Sequence, residues 1–494
     1  MKTDMKLELL INNEQRVLPS VQAFVHQTLA QLLLPDEDAE EIEQFVLRAV
    51  VNCIEHAYPA GEDGSIRLVI TEEHGKLEIQ IRDFGLPHDV QAMETLLQDN
   101  DMAGGVLCGC HVSDIVDEVH WLAFGREGKA LQLIKWLHTR HITDSVVAED
   151  LAPIRDDVPK ASSQEYTIRR MLPAEAVQVS QLMYRTYGSS YFNEDVYYPE
   201  RVAAQNAHGS VISVVAAGAD GRVVGHEAVE CNLNGPVAEL GQAATDPAHR
   251  GRGLMGRIKD QLVREASHLD LVGWYADAVA VHTITQQSNA HHGGHVCGVE
   301  LGIAPKTEAF RSIAPQQTQR VSCLLYFHWL EQPQVRVVHV PERHRTIVAE
   351  IYGNLQCQVE FGNGTSTAQD YGAVKTKRVS GAGASFISVE ELGQDSVYMI
   401  RLALRELIEI SRMEAVFVDL PLADPFTTAV WELLEQAGLG FVGIGPRFSP
   451  RGDVVRLVYL VESMVREPIR TYESFAGRLV DYALAEQHRV RANL

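Results

Sequence analysis

The stretch Ala244-Thr245-Asp246-Pro247-Ala248-His249-Arg250-Gly251-Arg252-Gly253-Leu254-Met255 decides how the rest of this chain is read. It lies between a strand-like run ending Val237-Ala238-Glu239-Leu240 and a helix-like run that begins near Leu254. A strand that opens through a glycine-rich turn into a helix aims several unpaired backbone N–H groups at one point. The helix dipole adds partial positive charge there. Gly251 and Gly253 let the backbone approach a diphosphate closely, and Arg250 and Arg252 supply charge-assisted bonds. The Gly-Lys-Ser or Gly-Lys-Thr ending of a P-loop is absent, as is the correctly spaced third glycine of a dinucleotide fingerprint. The pattern suits the diphosphate of an acyl-CoA. The plainer alternative is a glycine turn that only closes a strand–helix unit.

With Arg250 and Gly253 in place, the stretch resembles motif A of the GNAT N-acetyltransferases, Arg/Gln-x-x-Gly-x-Gly/Ala after a strand and an Asp-Pro turn. Met255 replaces the last small residue, and Gly256 follows it. Downstream, a strand at 274–281, then His282, Thr285-Gln286 and a helix ending at Gly293-Gly294 resemble the family's motif B, whose helix borders the pantetheine arm. The resemblance spans about 166–330. It implies acetyl-CoA as cofactor, held by Ala244, Thr245, Arg250, Gly251, Arg252, Gly253, Leu254, Met255 and Gln286.

Acyl transfer to an amine needs a fixed carrier, a base for the amine and a proton for the departing thiolate. In the GNAT family two parallel strands splay so that pantetheine amides meet exposed backbone, which implies edges at 239–245 and 274–281. A strand carboxylate beside the acyl end often serves as base there; that implies Glu239, with Asp277 a weaker candidate. The family's usual acid, a Tyr four residues before the motif B glycine, is Asn289 here. His282 is the substitute acid, since histidine titrates near ~6.5, and a capping histidine is the competing reading. Tyr184, Tyr187, Tyr191, Tyr197 and Tyr198 fall where the family caps its acceptor pocket, and packing is their other use. His291, His292 and His295 lack an acidic partner or fourth ligand and read as a solvated loop.

The 494 residues are 46% hydrophobic and 22% charged, an ordinary globular balance for about three domains. A formal net charge of -23 argues against nucleic acid or an anionic membrane as partner and tolerates cationic substrates. Seven scattered cysteines describe no disulfide framework, and Cys108-x-Cys110 lacks a second zinc pair. No signal peptide or apolar run long enough for a membrane span is present, so a cytoplasmic protein is expected.

The fold class expected is a multidomain α+β / α/β chain, an α/β sandwich followed by two mixed-sheet domains. The expected divisions are 1–142, a Pro- and acid-rich linker 143–165, the acyltransferase-like unit 166–330, a degenerate copy of it 331–462, and a C-terminal helical segment 463–494. In the copy, the place of motif A reads Glu390-Glu391-Leu392-Gly393-Gln394-Asp395. Three acids there would repel a diphosphate, so this block is read as a structural or dimerisation module.

In the first block, a helix carries Asn52-Cys53-Ile54-Glu55-His56-Ala57-Tyr58-Pro59, and Asp83-Phe84-Gly85-Leu86-Pro87 and Gly104-Gly105 follow. These resemble the ATP site of the GHKL superfamily, in particular the small anti-sigma-factor kinases. The resemblance implies Mg-ATP as a second ligand, with Asn52 holding Mg²⁺, Asp83 bonding adenine, Gly85 allowing the base to stack, and Gly104 and Gly105 shaping the lid. The family's catalytic Glu, one turn before the Asn, is Arg48 here, and an arginine does not act as a general base. Protein-kinase activity is therefore not expected. The function expected is acetyl-CoA-dependent N-acylation of a small-molecule or protein amine, with the first block as regulator. The alternative is a partner-switching protein that binds a sigma factor or anti-sigma antagonist and senses acyl-CoA.

Overall fold

The computed structural model describes residues 5–492 apart from 33, 35, 60, 74–75, 86–115, 117, 124–127, 138–139, 153–164, 192, 232–235, 307–316, 366 and 380–381. The chain forms two compact units. One comprises Met1–Thr139 with the short segments Gln369–Arg378 and Gly393–Ser396, and the other comprises the remaining residues.

In the first unit, β1 (Met5–Asn12), β2 (Ser65–Glu73), β3 (Lys76–Asp83), β4 (Glu118–Ala123) and β5 (Lys129–Trp136) pair antiparallel in the order β1-β2-β3-β5-β4. Leu77, Ile79 and Ile81 alternate with polar residues, which sends one face of β3 inward. That face shares a core with Val21 and Val25 of α1 (Leu18–Leu29) and with Val46 and Val50 of α2 (Asp36–His56). α1 ends at Leu29, and α2 carries the Asn52–His56 stretch on its last turns. Val116 is buried in the same core. Lys375 and Thr376 pair with Leu122 and Trp121 of β4.

The second unit opens with β6 (Tyr166–Arg170), α3 (Ala176–Tyr187), α4 (Pro199–His208), β7 (Val211–Gly218), β8 (Val223–Cys231) and β9 (Val237–Thr245). There follow α5 (Leu254–Ser267), β10 (Gly273–Val279), α6 (Ile284–His291), β11 (His295–Ala304) and β12 (Val321–Trp329). β6 to β9 are antiparallel neighbours, β9 runs parallel to β10, and β12 lies antiparallel between β10 and β11. Leu254, Ile258, Leu262 and Ala266 make a helical stripe on α5 that is fully buried against Val214, Val224 and Val229. Gly225 permits the close approach, because a Cβ there would stand 3.0 Å from the Ile258 methyl.

A similar order of elements, without a counterpart of α4, follows in β13 (Arg336–Val338), α7 (Arg345–Asn354), β14 (Val359–Phe361), β15 (Ala373–Val379), β16 (Ala384–Glu391), α8 (Ser396–Arg405), β17 (Ala415–Pro421), α9 (Thr427–Gln436), β18 (Gly440–Ser449) and β19 (Gly452–Leu460), closed by α10 (Ser474–Arg491). Here β16 is parallel to β17, and β19 is antiparallel to both β17 and β18. Gly298 of β11 meets Gly443 of β18, and a Cβ on Gly443 would fall 2.3 Å from the Gly298 Cα. Gly443 therefore has to be glycine for the strands to join so closely. Among the described residues, no helix is long and apolar enough to cross a membrane.

Across this joint lies a buried ion network. Arg456 of β19 makes a bidentate pair with Asp419 of β17 (2.8 Å for each bond) and also bonds Glu300 of β11. Removing the only cation of such a set leaves carboxylates stranded in low dielectric. Replacement of Arg456 by Met is expected to cost about 3–5 kcal/mol in urea unfolding. A loss below 1 kcal/mol would show that the network is solvated.

Candidate active site

β9 and β10 pair only over their first three positions, ending at Glu239 opposite Tyr275. Beyond that point β9 stays with β8 and β10 with β12, so 240–245 and 276–279 no longer pair with each other. The parting has a local cause. Gln242 and Ala243 drop out of the β8 ladder as a bulge, and Gln242 adopts a φ of 55°. Three side chains hold the bulge. Gln242 N–H donates to the Tyr191 hydroxyl (2.8 Å), the Tyr187 hydroxyl donates to Ala243 C=O (2.6 Å), and His226 Nδ1 lies 2.9 Å from Gln242 C=O. A carbonyl only accepts, so Nδ1 carries the hydrogen and Nε2 accepts from Ser213 Oγ at 3.0 Å. Burial pushes His226 down to about 4, and the ring is neutral at physiological pH.

At the mouth of the parting, the Tyr275 hydroxyl donates to Glu239 (3.3 Å), and its ring packs against Phe448 of β18 with centroids 4.7 Å apart. Glu230 of β8 stands directly opposite Glu239 and accepts from Asn193 (2.9 Å). Asp277 follows two positions along β10. Burial, with the charges of Glu300 and Glu239, holds its carboxyl well above the usual carboxylate range. This environment disfavours the charged carboxylate that a general base presents.

The glycine turn is built as its residues require. Asp246 caps the Pro247–His249 turn through Ala248 N–H (2.9 Å), and Gly251 and Gly253 take positive φ of 78° and 68°. Gly253 is the residue before α5 and offers no side-chain cap, so the first amides of the helix lack an internal acceptor. A Cβ on Gly253 or Gly256 would meet nothing within 4 Å. The buried Thr245 hydroxyl at the end of β9 has no hydrogen-bond partner among the described residues. The corresponding turn before α8 differs. Gly393 N–H is taken by Ser396 Oγ (2.8 Å) and Gln394 N–H by Gln369 C=O (2.9 Å).

In the first unit, Asp83 ends β3 against the C-terminal half of α2. Gly85 N–H donates to it (3.2 Å), Lys129 Nζ lies 3.5 Å away, and the Cys53 thiol points at it. Burial raises the Asp83 carboxyl against the pull of Lys129 and pushes the Cys53 thiol up to about 12. A Cβ on Gly85 would fall 1.7 Å from Ala57 C=O, so only glycine fits. Asn52 precedes Cys53 on α2, and Gly104 and Gly105 lie outside the described residues.

Residues 177–287 match the acetyltransferase (GNAT) family. Residues 11–135 match the histidine kinase-like ATPase domain. No curated protein matches the sequence. Solved structures that resemble part of the chain include an N-acetyltransferase from Staphylococcus aureus Mu50 (14% identity, 34% of this chain and 99% of that one, TM-score 0.29). Another is a GNAT superfamily phosphinothricin acetyltransferase from Sinorhizobium meliloti in complex with acetyl-CoA (16%, 33% and 88%, 0.28). A third is a GNAT-family acetyltransferase from Streptococcus pneumoniae (13%, 33% and 99%, 0.28).

Within the GNAT domain, several residues expected at the site are committed elsewhere. Gln286 is buried: its amide donates to His282 and Arg470 carbonyls (2.9 Å each) and accepts from Tyr472 N–H (2.8 Å), so it anchors the segment before α10 and does not border a cofactor. The side chains of Ala244 and Leu254 are core, which leaves their backbone to face a ligand. His282 accepts from Ile284 N–H (3.3 Å) at the start of α6, and burial lowers its pKa. Asn289 bonds buried Lys259, which pairs with Glu227 (3.2 Å). Tyr184, Tyr197 and Tyr198 surround His141, and only Tyr187 and Tyr191 reach the bulge. Glu230 and His226 were missed, because strand register rather than any motif brings them to the site.

The buried neutral His226 makes stability depend on pH. Its folded pKa of about 4 lies below the ordinary 6.5, so the unfolded chain binds the extra proton between those values. Its stabilising contribution is full above 6.5 and is lost as pH falls toward 4, by up to about 3 kcal/mol. Urea unfolding at pH 7 and pH 5 should show a steeper fall for wild type than for His226→Gln; equal slopes would contradict the assignment.

Proposed function

We propose that the chain transfers the acetyl group of acetyl-CoA to an amine. One observation carries the reading: β9 and β10 part at Glu239 and Tyr275, and β9 then leads into a turn whose glycines and uncapped helix start are left open to a ligand. The residues fit the group. The turn 250–256, with Arg250 and Arg252, would take the diphosphate, and the unpaired edges 240–245 and 276–279, with the orphaned Thr245 hydroxyl, would take the pantetheine amides. When bound, acetyl-CoA supplies an activated thioester carbonyl.

Glu239, oriented by Tyr275, removes one proton from the incoming ammonium and frees the nitrogen lone pair. The new C–N bond forms as the C–S bond breaks, and the second proton lost from nitrogen goes to the departing sulfur. No side-chain acid is needed for this balance, which agrees with His282 acting as a cap. Replacement of Glu239 by Gln is expected to lower kcat about 10²–10⁴-fold, read as thiol release at saturating substrates. Arg250→Glu should weaken acetyl-CoA binding by at least about tenfold in calorimetry, and unchanged affinity would remove the diphosphate assignment.

The third block is, in this reading, a second GNAT-like copy that binds no acyl-CoA: its turn amides are occupied, and Glu391 is paired with Arg451. For the ATPase-like domain we propose a regulatory role in a cytoplasmic protein, the partner being a sigma factor or anti-sigma antagonist. The support is Asp83, whose carboxylate is already engaged by Lys129 and Gly85, and Arg48, which stands where a base is required and bonds only along its own helix to Gln44 C=O (3.4 Å). The intact chain should show no phosphate release from Mg-ATP above the uncatalysed rate; measurable turnover would overturn the loss of the base.

A further inference from the structure

We propose that the acceptor is a protonated aliphatic amine seated between the carboxylates of Glu230 and Glu239, and that Glu230 selects for its charge. This rests on the acyltransferase reading above. Glu230 and Glu239 are direct cross-strand partners on β8 and β9 and therefore project from the same face. Like charges in that relation repel, and the arrangement is relieved by a cation between them. Both side chains lean over Gly241: the site of its missing Cβ lies 2.9 Å from Glu230 Oε1 and 3.1 Å from Glu239 Oε1. Any side chain at 241 would fill the point on which the two carboxylates converge.

The surroundings have the chemistry of an ammonium site. Asn193 fixes the far oxygen of Glu230 (2.9 Å), Tyr275 fixes Glu239 (3.3 Å), and the paired rings of Tyr187 and Tyr191, 5.0 Å apart, stand beside them. Aromatic faces and carboxylates together favour a cation over a neutral or acidic group. On the β10 side, one oxygen of Asp277 is buried without a hydrogen-bond partner among the described residues. An aliphatic amine, with a pKa near ~10.4 like that of lysine, arrives charged, whereas an arylamine does not. In this arrangement Glu239 takes the proton that must leave before attack. Glu230 touches the ammonium only to bind it, so its effect falls on KM.

The test uses the intact protein with acetyl-CoA and a panel of acceptors: n-propylamine, 1,4-diaminobutane and free lysine as charged aliphatic amines, aniline as an uncharged amine, and glutamate as an amine flanked by carboxylates. Thiol release is expected with the first group at a kcat/KM at least about 100-fold above the other two. Glu230→Gln should raise KM for the best amine about tenfold while the acetyl-CoA Kd stays the same. If that variant does not fold, Asn193→Ala, which releases the same carboxylate, should raise KM in the same direction. Equal use of aniline or glutamate, an unchanged KM, stabilisation by Mg²⁺ alone in place of amine, or bound acetyl-CoA with no aliphatic amine accepted would each overturn the inference. Failure of the wild-type protein to bind acetyl-CoA would instead defeat the acyltransferase reading itself, so the two failures are told apart.

Discussion

The bulge at Gln242 is the constraint on which the second unit depends. A non-glycine residue with positive φ costs on the order of 1–2 kcal/mol, and it persists only where the surroundings over-determine it. Here three hydrogen bonds do so, from Tyr187 and Tyr191 at the end of α3 and beyond, and from His226 on β8. At roughly 1 kcal/mol each, they offset the strain. Without the bulge, β9 would be free to pair with β10 along its length and close the edges that a ligand needs. The core under α3 therefore does more than hold a helix in place: it keeps two strands apart.

Charge follows from the same geometry. The chain carries 66 acidic against 43 basic side chains, and several acids are drawn to the parted strands. Glu230, Glu239 and Asp277 face one region, and Glu300 and Asp419 lie behind it. Arg456 neutralises the rear pair, and burial disfavours a charge on Asp277. What remains is a negative mouth beside a positive turn, with the acids near the acyl end and Arg250 and Arg252 near the diphosphate end. An ammonium acceptor and an anionic carrier would thus be drawn to opposite ends of the same groove.

Much of this was legible in the sequence, and the reason is local. Periodicity of two at Leu77, Ile79 and Ile81 and the helical stripe Leu254, Ile258, Leu262 and Ala266 concern neighbours along the chain. So do the glycines and arginines of 250–253. Gln286 and Asn289 misled because motif spacing places a residue on a helix without saying what lies opposite. Here a backbone segment nearly two hundred residues later claims Gln286, and buried Lys259 claims Asn289. Glu230 and His226 carry no motif at all. Their roles depend on the register between β8 and β9, including a one-place irregularity that alternation cannot announce.

The third block shows what the parting requires by lacking it. β16 and β17 stay paired from Ala384–Ala415 through Ser388–Asp419, five positions against three. The following turn has Gly393 N–H taken by Ser396 Oγ, and Asp395 accepts from Gly372 N–H (2.6 Å). β17 carries Asp419 into the interior, and β19 carries Arg456 there to meet it. β18 then sets Phe448 against Tyr275, the residue that orients Glu239. The third block thus places an aromatic ring beside Tyr275 and a counter-charge beside Glu300. Phe448 and Arg456 tie β18 and β19 to the strands that carry Tyr275 and Glu300.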